Sequence, residues 1–244
     1  MRGPAIVGRR LDSRPRHQQI AAELRAEIMS GDLKAGEQLP STPHLVARFH
    51  AANATIQRAL QALKDEGFVR GHAGKGVFIR DRRPHVVDAS AYEPPSPREY
   101  SYELLKVGQV TPPSDVAAAF EVGGDDLVVM RHRLLLHGGA PVELSWSYYP
   151  VSIAAGSPLA GRGRIRGGAP QALADLGYPQ RHFRDRISVR QPTETEVQGL
   201  DLPPDVPVFR QFRVIYSDGE RPVEASVLIK GGHLYELSYH QIAV

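Results

Sequence analysis

The sequence contains no cysteine. That excludes disulfides and thiolate-held metal sites, and it fits a cytoplasmic protein. No apolar run approaches the roughly 20 residues that a membrane-spanning helix needs. Arg9 and Arg10 are not followed by the apolar core of a signal peptide. The expectation is a cytoplasmic chain with no membrane partner. The usual marks of catalysis are also missing. Ten histidines are scattered without His-Glu-x-x-His or another ligand spacing, and there is no Gly-x-Ser-x-Gly. Gly74-Lys75-Gly76 lacks the glycine spacing of a phosphate loop and runs from one strand into another. No catalytic residue, bound metal or cofactor is expected.

Net charge is small, at +3, but it is unevenly spread. Residues 1–80 hold 13 Lys+Arg against 7 Asp+Glu, or +6; the remainder holds 17 against 20, or −3. A basic first third is what phosphate binding requires, although a solvated basic face would look the same. The length of 244 residues allows one large or two modest domains. A hydrophobic share of 41% and a charged share of 23% are ordinary for a globular chain.

The stretch from Arg16 to Arg80 has the clearest pattern. Ile20, Leu24 and Ile28 recur every four residues, which predicts a helix over Arg16–Ser30 with Gly31 at its C-terminal end. A turn with Gly36 and Pro40 follows, and Ser41 is placed to cap a short helix through Phe49. From Ala52 to Leu63, Ile56, Leu60 and Leu63 line one helical face. Asn53, Thr55, Gln57 and Arg58 fall elsewhere on that cylinder, and such side chains hydrogen-bond base edges and phosphates. Alone, this is also the pattern of an ordinary amphipathic surface helix. Gly67 ends it. Phe68–His72 and Val77–Arg80 then read as two strands around a basic, glycine-rich tip. Three helices followed by such a hairpin make a winged helix-turn-helix.

The landmarks of this stretch are Ser30-Gly31-Asp32-Leu33, Gly36, Leu39-Pro40-Ser41, Ala59-Leu60, Leu63, Glu66-Gly67 and Gly74-Lys75-Gly76. In that order and spacing they resemble the DNA-binding domain of the GntR family of bacterial transcription regulators. The resemblance implies double-stranded operator DNA as a partner. It also implies DNA contacts from Ser41, Thr42, His44, Asn53, Thr55, Gln57, Arg58, Lys75 and Gly76. Relatives often carry arginine where this chain has Pro43 and Asn53, which implies a different operator sequence.

Residues 1–13 show no periodicity and read as a flexible arm, with 14–80 as the DNA-binding domain. Pro84, Pro94, Pro95 and Pro97 mark residues 81–99 as a stiffened linker without regular structure. Residues 100–244 read as a second domain. Expected elements are a short helix over Pro113–Phe120 and strands over Leu127–His137 and Pro141–Tyr149. In the latter, Val142, Leu144 and Trp146 share one face, and Glu143, Ser145 and Ser147 the other. A helix over Gly168–Gly177, a strand over Arg181–Arg190 and a capping box from Thr193 to Glu196 follow. Three strands over Pro207–Ser217, Pro222–Lys230 and Leu234–Ile242 end the chain. The fold class is α+β, a winged helix-turn-helix followed by a mostly antiparallel domain.

Leu127 to Arg133, Ser147-Tyr148-Tyr149-Pro150, Asp218 to Glu224 and Tyr235 to Tyr239 are similar in order to the UTRA domain. That is the effector-binding half of the HutC subfamily of GntR regulators, with a chorismate-lyase-like fold. The resemblance implies a homodimer and a small-molecule effector, anionic or polyhydroxylated. Its implied site is Arg131, Arg133, Ser145 and Glu224. Arg131 and Arg133 are i and i+2, so one strand face carries both. Either an effector anion answers them or Glu143 pairs with one across the hairpin. Tyr148 and Tyr235 read as core. Relatives that bind sugar phosphates often carry Glu at the Ser145 position, and their Ser/Thr-rich anion loop is not evident around Tyr100 to Thr111. The expected function is a ligand-responsive repressor on an inverted-repeat operator. A ligand-independent repressor and a chorismate-lyase-like enzyme with a DNA-binding head are the alternatives.

Overall fold

The computed structural model describes residues 12–80, 85–88, 100–123 and 125–238, the four at 85–88 by backbone alone. It divides into two compact units, Met1–Arg83 and Pro84–Val244.

The first unit is three helices and a hairpin: α1 (Arg16–Ser30), α2 (Thr42–Phe49), α3 (Asn53–Asp65), β1 (Val69–His72) and β2 (Gly76–Ile79). Ile20 and Leu24 of α1, Leu45 and Phe49 of α2, and Ile56, Leu60 and Leu63 of α3 are buried together. The i, i+4 spacing of α1 and the i, i+4, i+7 spacing of α3 thus converge on one core. Gly31 ends α1 at φ 85°, a left-handed conformation that an L side chain rarely adopts. Ser41 occupies the position before α2, but its side chain accepts no capping hydrogen bond; Pro43 in the first turn removes one backbone donor there. The segment before α2 joins the hairpin instead, with Leu39 N–H donating to Val77 O at 2.8 Å and Ile79 N–H to Glu37 O at 2.9 Å. Arg25 of α1 donates to the buried Glu66 at 2.6 Å and ties α1 to the end of α3.

The second unit is built on a six-stranded antiparallel sheet. Its elements are β3 (His85–Asp88), β4 (Tyr100–Val110), α4 (Ser114–Phe120), β5 (Val128–His137), β6 (Ala140–Pro150), α5 (Val151–Ala154), a 3-10 turn (Pro158–Ala160), α6 (Gly168–Asp175), β7 (His182–Arg190), α7 (Glu194–Leu200), β8 (Val208–Ser217), β9 (Arg221–Gly231) and β10 (Tyr235–Ser238). The sheet order is β4-β5-β6-β9-β8-β7, while β3 and β10 pair in parallel by themselves. On one face α4 packs through Val116 and Phe120 on Met130, Tyr148 and Phe212, and the end of α7 packs through Leu200 on Leu144 and Ile229. The opposite face is covered at one end by α5, the 3-10 turn and α6 over Val129, Tyr149 and Ile215.

Several sequence expectations are corrected. The 100–111 stretch, whose sequence predicts no element, is the long edge strand β4; its exposed alternation and a bulge between Leu104 and Lys106 hide the period. Residues 85–88, inside the proline-marked linker, form β3 by pairing with β10. Of the strand expected over Leu234–Ile242, Tyr235–Ser238 is present, and residues 239–244 lie outside the described part. Pro84, Pro94, Pro95 and Pro97, and Arg2, Arg9 and Arg10 of the arm, also lie outside it. Val142 does not share a face with Leu144 and Trp146. A register shift between Leu135 and Leu136 turns it to a separate cluster with Leu135 and Tyr235.

The capping box of α7 is formed in full. Glu196 N–H donates to Thr193 Oγ1, and Glu196 Oε2 accepts from Thr193 N–H at 2.8 Å. Arg190 also donates to both carboxylate oxygens, at 2.7 and 2.6 Å. Burial alone would raise the Glu196 carboxyl; the hydrogen bonds from Arg190 and Thr193 outweigh it and hold the group below its ordinary 4.5. A depressed folded value means stabilisation that is present above pH 4.5 and lost as pH falls through the folded value. The acid limb of unfolding, followed by circular dichroism, is therefore expected to be shallower in Glu196→Gln than in the wild type, with reduced stability at neutral pH.

Candidate functional site

Two surfaces carry groups suited to recognition, one in each unit. In the first unit, burial of Ile56, Ala59, Leu60 and Leu63 forces the rest of α3 outward. Asn53, Gln57 and Arg58 are exposed and Thr55 is half-buried. The start of α2 lies alongside, since Gln57 Nε2 donates to Thr42 Oγ1 at 3.2 Å. Ser41 and His44 are exposed at the same helix end. Seven of the residues named from the sequence thus sit on α3 and the start of α2. Lys75 and Gly76 stand at the hairpin tip. Gln38, which sequence reasoning passed over, props that tip: its Nε2 donates to Lys75 O at 2.9 Å. Gly76 has φ 105°, a backbone conformation that favours glycine, and a Cβ there would push aside the Gln38 amide that holds the tip.

In the second unit the site lies on the sheet face opposite α4. Strand alternation and antiparallel register place polar residues side by side across neighbouring strands. Arg131 of β5 stands opposite Ser147 of β6, which stands opposite Ser226 of β9, which stands opposite Arg213 of β8. In the adjoining row Arg133 stands opposite Ser145. Arg133 Nη2 donates to Ser147 Oγ at 2.7 Å, the Ser147 and Ser226 hydroxyls are 2.9 Å apart, and Ser226 Oγ donates to Glu224 Oε1 at 2.7 Å. Each hydroxyl has one proton to give. With a cation at one end and a carboxylate at the other, the middle bond runs from Ser147 to Ser226, and the whole chain is polarised from Arg133 to Glu224.

A second chain crosses the same face. Arg213 and Gln211 both donate to Asp185, at 2.7–2.8 Å, and Lys230 Nζ reaches Gln211 Oε1 at 3.4 Å and Glu143 Oε2 at 2.7 Å. Glu143 thus answers Lys230, so the pairing with Arg131 or Arg133 considered from the sequence does not occur. The register is the reason: Glu143 stands opposite Leu135 and Lys230, not opposite either arginine.

The two arginines are held differently. Arg131 is 4% exposed, and its guanidinium donates to backbone carbonyls of the loop after α5: Leu159 O at 3.0 Å, Gly161 O, and at longer range Pro158 O and Gly163 O. Burial, and secondarily Arg133, disfavour its charge and lower its pKa against the opposing influence of Tyr149. Arg133 lies with its guanidinium 5.4 Å from the Tyr102 ring centre. Among the described residues, Ser145 Oγ and Glu224 Oε2 are buried without a hydrogen-bond partner, in residues 1% and 3% exposed. Such atoms carry a desolvation cost that a hydrogen-bonding ligand removes.

Ser147, Ser226, Arg213, Asp185 and Lys230 were not singled out as site residues from the sequence. The signal was present as alternate small polar and charged residues on strands otherwise rich in apolar ones. Tyr148 and Tyr235 are buried in apolar clusters. If the polarised chain holds as drawn, Ser226→Ala strands both Ser147 and Glu224. A loss of about 1–3 kcal/mol is expected in urea denaturation of the full-length protein, and an unchanged midpoint is inconsistent with the chain.

The comparisons with known proteins agree with both halves. Residues 16–79 match the family model of the bacterial regulatory proteins, gntR family, and residues 96–236, more than half of the chain, match the UTRA domain. An uncharacterized HTH-type transcriptional regulator of Streptomyces coelicolor is 28% identical, with 92% of each chain covered. The HTH-type transcriptional regulator GgaR of Escherichia coli is 26% identical over 88% of this chain and 87% of its own. The crystal structure of PhnF from Mycobacterium smegmatis has the same fold, with a TM-score of 0.57 at 18% identity over 92% of this chain and all of that one. No described helix is long and apolar enough to cross a membrane. A gntR-type DNA-binding head joined to a UTRA domain, with HTH-type regulators as relatives over nearly the full length, makes this chain a transcription regulator of the GntR family.

Proposed function

We propose that the chain is a ligand-responsive repressor of the HutC type, acting in the cytoplasm as a homodimer on an inverted-repeat operator. In this reading residues 14–80 bind DNA and residues 100–244 bind the effector and dimerise. A single head buries little surface, so tight specific binding calls for two heads on a two-fold site. The observation that carries the ligand response is the polar row buried inside the second unit, where Glu224 Oε2 and Ser145 Oγ lack partners among the described residues. A stability-driven sheet face would be filled with apolar side chains. Here Arg133 offers a cation and Glu224 an acceptor at opposite ends of one hydrogen-bonded chain. An effector with an anionic group for Arg133 and a hydroxyl or amino group for Glu224 fits both. Arg131 contributes by holding the loop, and Ser145 by its open hydroxyl.

Selection of bound sequences from a random DNA pool, followed by footprinting, tests the DNA half. A short protected inverted repeat is expected, and a monomer on an asymmetric half-site overturns the reading. Arg58→Ala or Gln57→Ala is expected to cost about 1–3 kcal/mol of operator affinity and to relax specificity locally. Lys75→Ala is expected to weaken all sequences alike and to reduce the salt slope by about one. Unchanged affinity in both α3 variants would place the reading helix elsewhere.

The ligand half rests on reciprocity: an effector that releases DNA must bind more weakly to the DNA-bound form. Arg133→Ala is expected to bind operator normally and to resist release, as a super-repressor does. Calorimetry of the effector against wild type and Arg133→Ala checks this, with equal affinities removing Arg133 from the site. A wild-type complex that no candidate metabolite releases would favour the ligand-independent repressor.

A further inference from the structure

The second unit answers almost every cation it carries. Arg181, Arg184, Arg190, Arg210 and Arg213 each hold a carboxylate, as does Lys230, and Arg186 and Arg221 lie over aromatic rings. Arg131 is met by backbone carbonyls and Arg133 by Ser147 and the Tyr102 ring, so among the described residues the exceptions are Lys106 and three arginines of one loop, Arg162, Arg164 and Arg166. That loop reads Gly161-Arg162-Gly163-Arg164-Ile165-Arg166-Gly167, and all three arginines are exposed. No Asp or Glu occurs in the sequence between Glu143 and Asp175. Three like charges at alternate positions repel one another and gain nothing for the fold.

Their loop is not placed at random. It is the loop whose carbonyls, at Leu159, Gly161 and Gly163, receive the buried Arg131 guanidinium. Arg131 projects from the sheet face that carries Arg133, Ser145 and Glu224, so the loop backbone is pinned over that face. Its backbone oxygens turn toward Arg131 while its arginine side chains stand in solvent. Inside the site Arg131 is already met by carbonyls, and the charge of Arg133 is answered through two hydroxyls by Glu224. The interior therefore offers little net positive charge, and the unanswered charge is concentrated on the covering loop.

We propose that Arg162, Arg164 and Arg166 form a cationic rim to the effector site, and that the effector it selects carries at least two negative charges, as a phosphorylated or polycarboxylate metabolite does. The inference rests on the effector-site reading above. A rim of one sign focuses the field at the mouth and raises the capture rate of anions by about 10–10³-fold, with strong salt dependence. A neutral or singly charged ligand gains little from it.

The test uses the full-length protein with orthophosphate and pyrophosphate as probes, by calorimetry and by stopped-flow fluorescence of Trp146, the single tryptophan. Wild type is expected to bind pyrophosphate at least about tenfold tighter than orthophosphate, with association that slows steeply as salt rises. The triple variant Arg162→Gln, Arg164→Gln, Arg166→Gln is expected to keep its circular dichroism and to lose that preference and the salt dependence. A triple variant that keeps the preference overturns the rim while leaving the effector site standing. Absence of binding by either anion to wild type overturns it as well. Loss of operator affinity with anion binding intact would assign the loop to DNA and also overturn it. Arg133→Gln separates the two ideas: if it binds both anions as wild type does, the underlying effector-site reading fails, and the rim fails with it.

Discussion

A sheet face that is mostly buried cannot keep ions in its middle unless each is answered where it stands. That constraint governs the second unit. Arg131, Arg133, Arg213, Lys230, Asp185, Glu143 and Glu224 share one face of five neighbouring strands, and most of the face is buried. Isolated burial of any one of them would cost several kcal/mol. The strands meet the requirement by register: hydroxyls fall between Arg133 and Glu224, and Gln211 falls between Asp185 and Lys230. A sheet that served stability alone would have no reason to carry this arrangement. Its presence on a mostly buried face is the physical argument for the proposed ligand site.

The head obeys a simpler rule. Its small core consumes one side of each helix, so whatever is polar on α3 must face out. Ile56, Ala59, Leu60 and Leu63 fix the rotation of that helix, and Asn53, Gln57 and Arg58 follow without further choice. The hairpin is similarly constrained. The segment at Glu37–Leu39 hydrogen-bonds along β2, and Gln38 holds the carbonyl of Lys75. The tip is therefore held by the same unit that orients α3, and the two are parts of a single body.

The two units differ in how legible they were. Helices α1 and α3 of the head were readable because their contacts repeat at 3.6 residues within one element, α2 from Ser41 at its start although that side chain makes no capping hydrogen bond, and the wing from its glycine-rich tip. In the second unit, β5 to β9 were also readable from alternation and turn residues. The edge strand β4 was not, because an edge strand exposed along much of its length and broken by a bulge at Leu105 loses its period. Strand β3 was not, because its partner β10 lies about 150 residues away and no local pattern announces a parallel pairing. The face of Val142 was misread because a single extra residue inverts alternation beyond it.

The sequence by itself determined the fold class, the outward-facing polar side of α3 and the sharing of one strand face by Arg131 and Arg133. Each of these follows from local spacing, and local spacing is fixed by backbone geometry. It did not determine what the two arginines do. Only the tertiary structure decided that Arg131 is taken up by the carbonyls of the 158–163 loop, that Glu143 goes to Lys230, and that Arg133 is joined to Glu224 through Ser147 and Ser226. Those partners lie tens of residues apart, on strands whose neighbours are set by sheet order. Hydrogen bonds and contact ion pairs form over a few ångströms, and which groups come that close is a property of the packed chain, not of its local pattern.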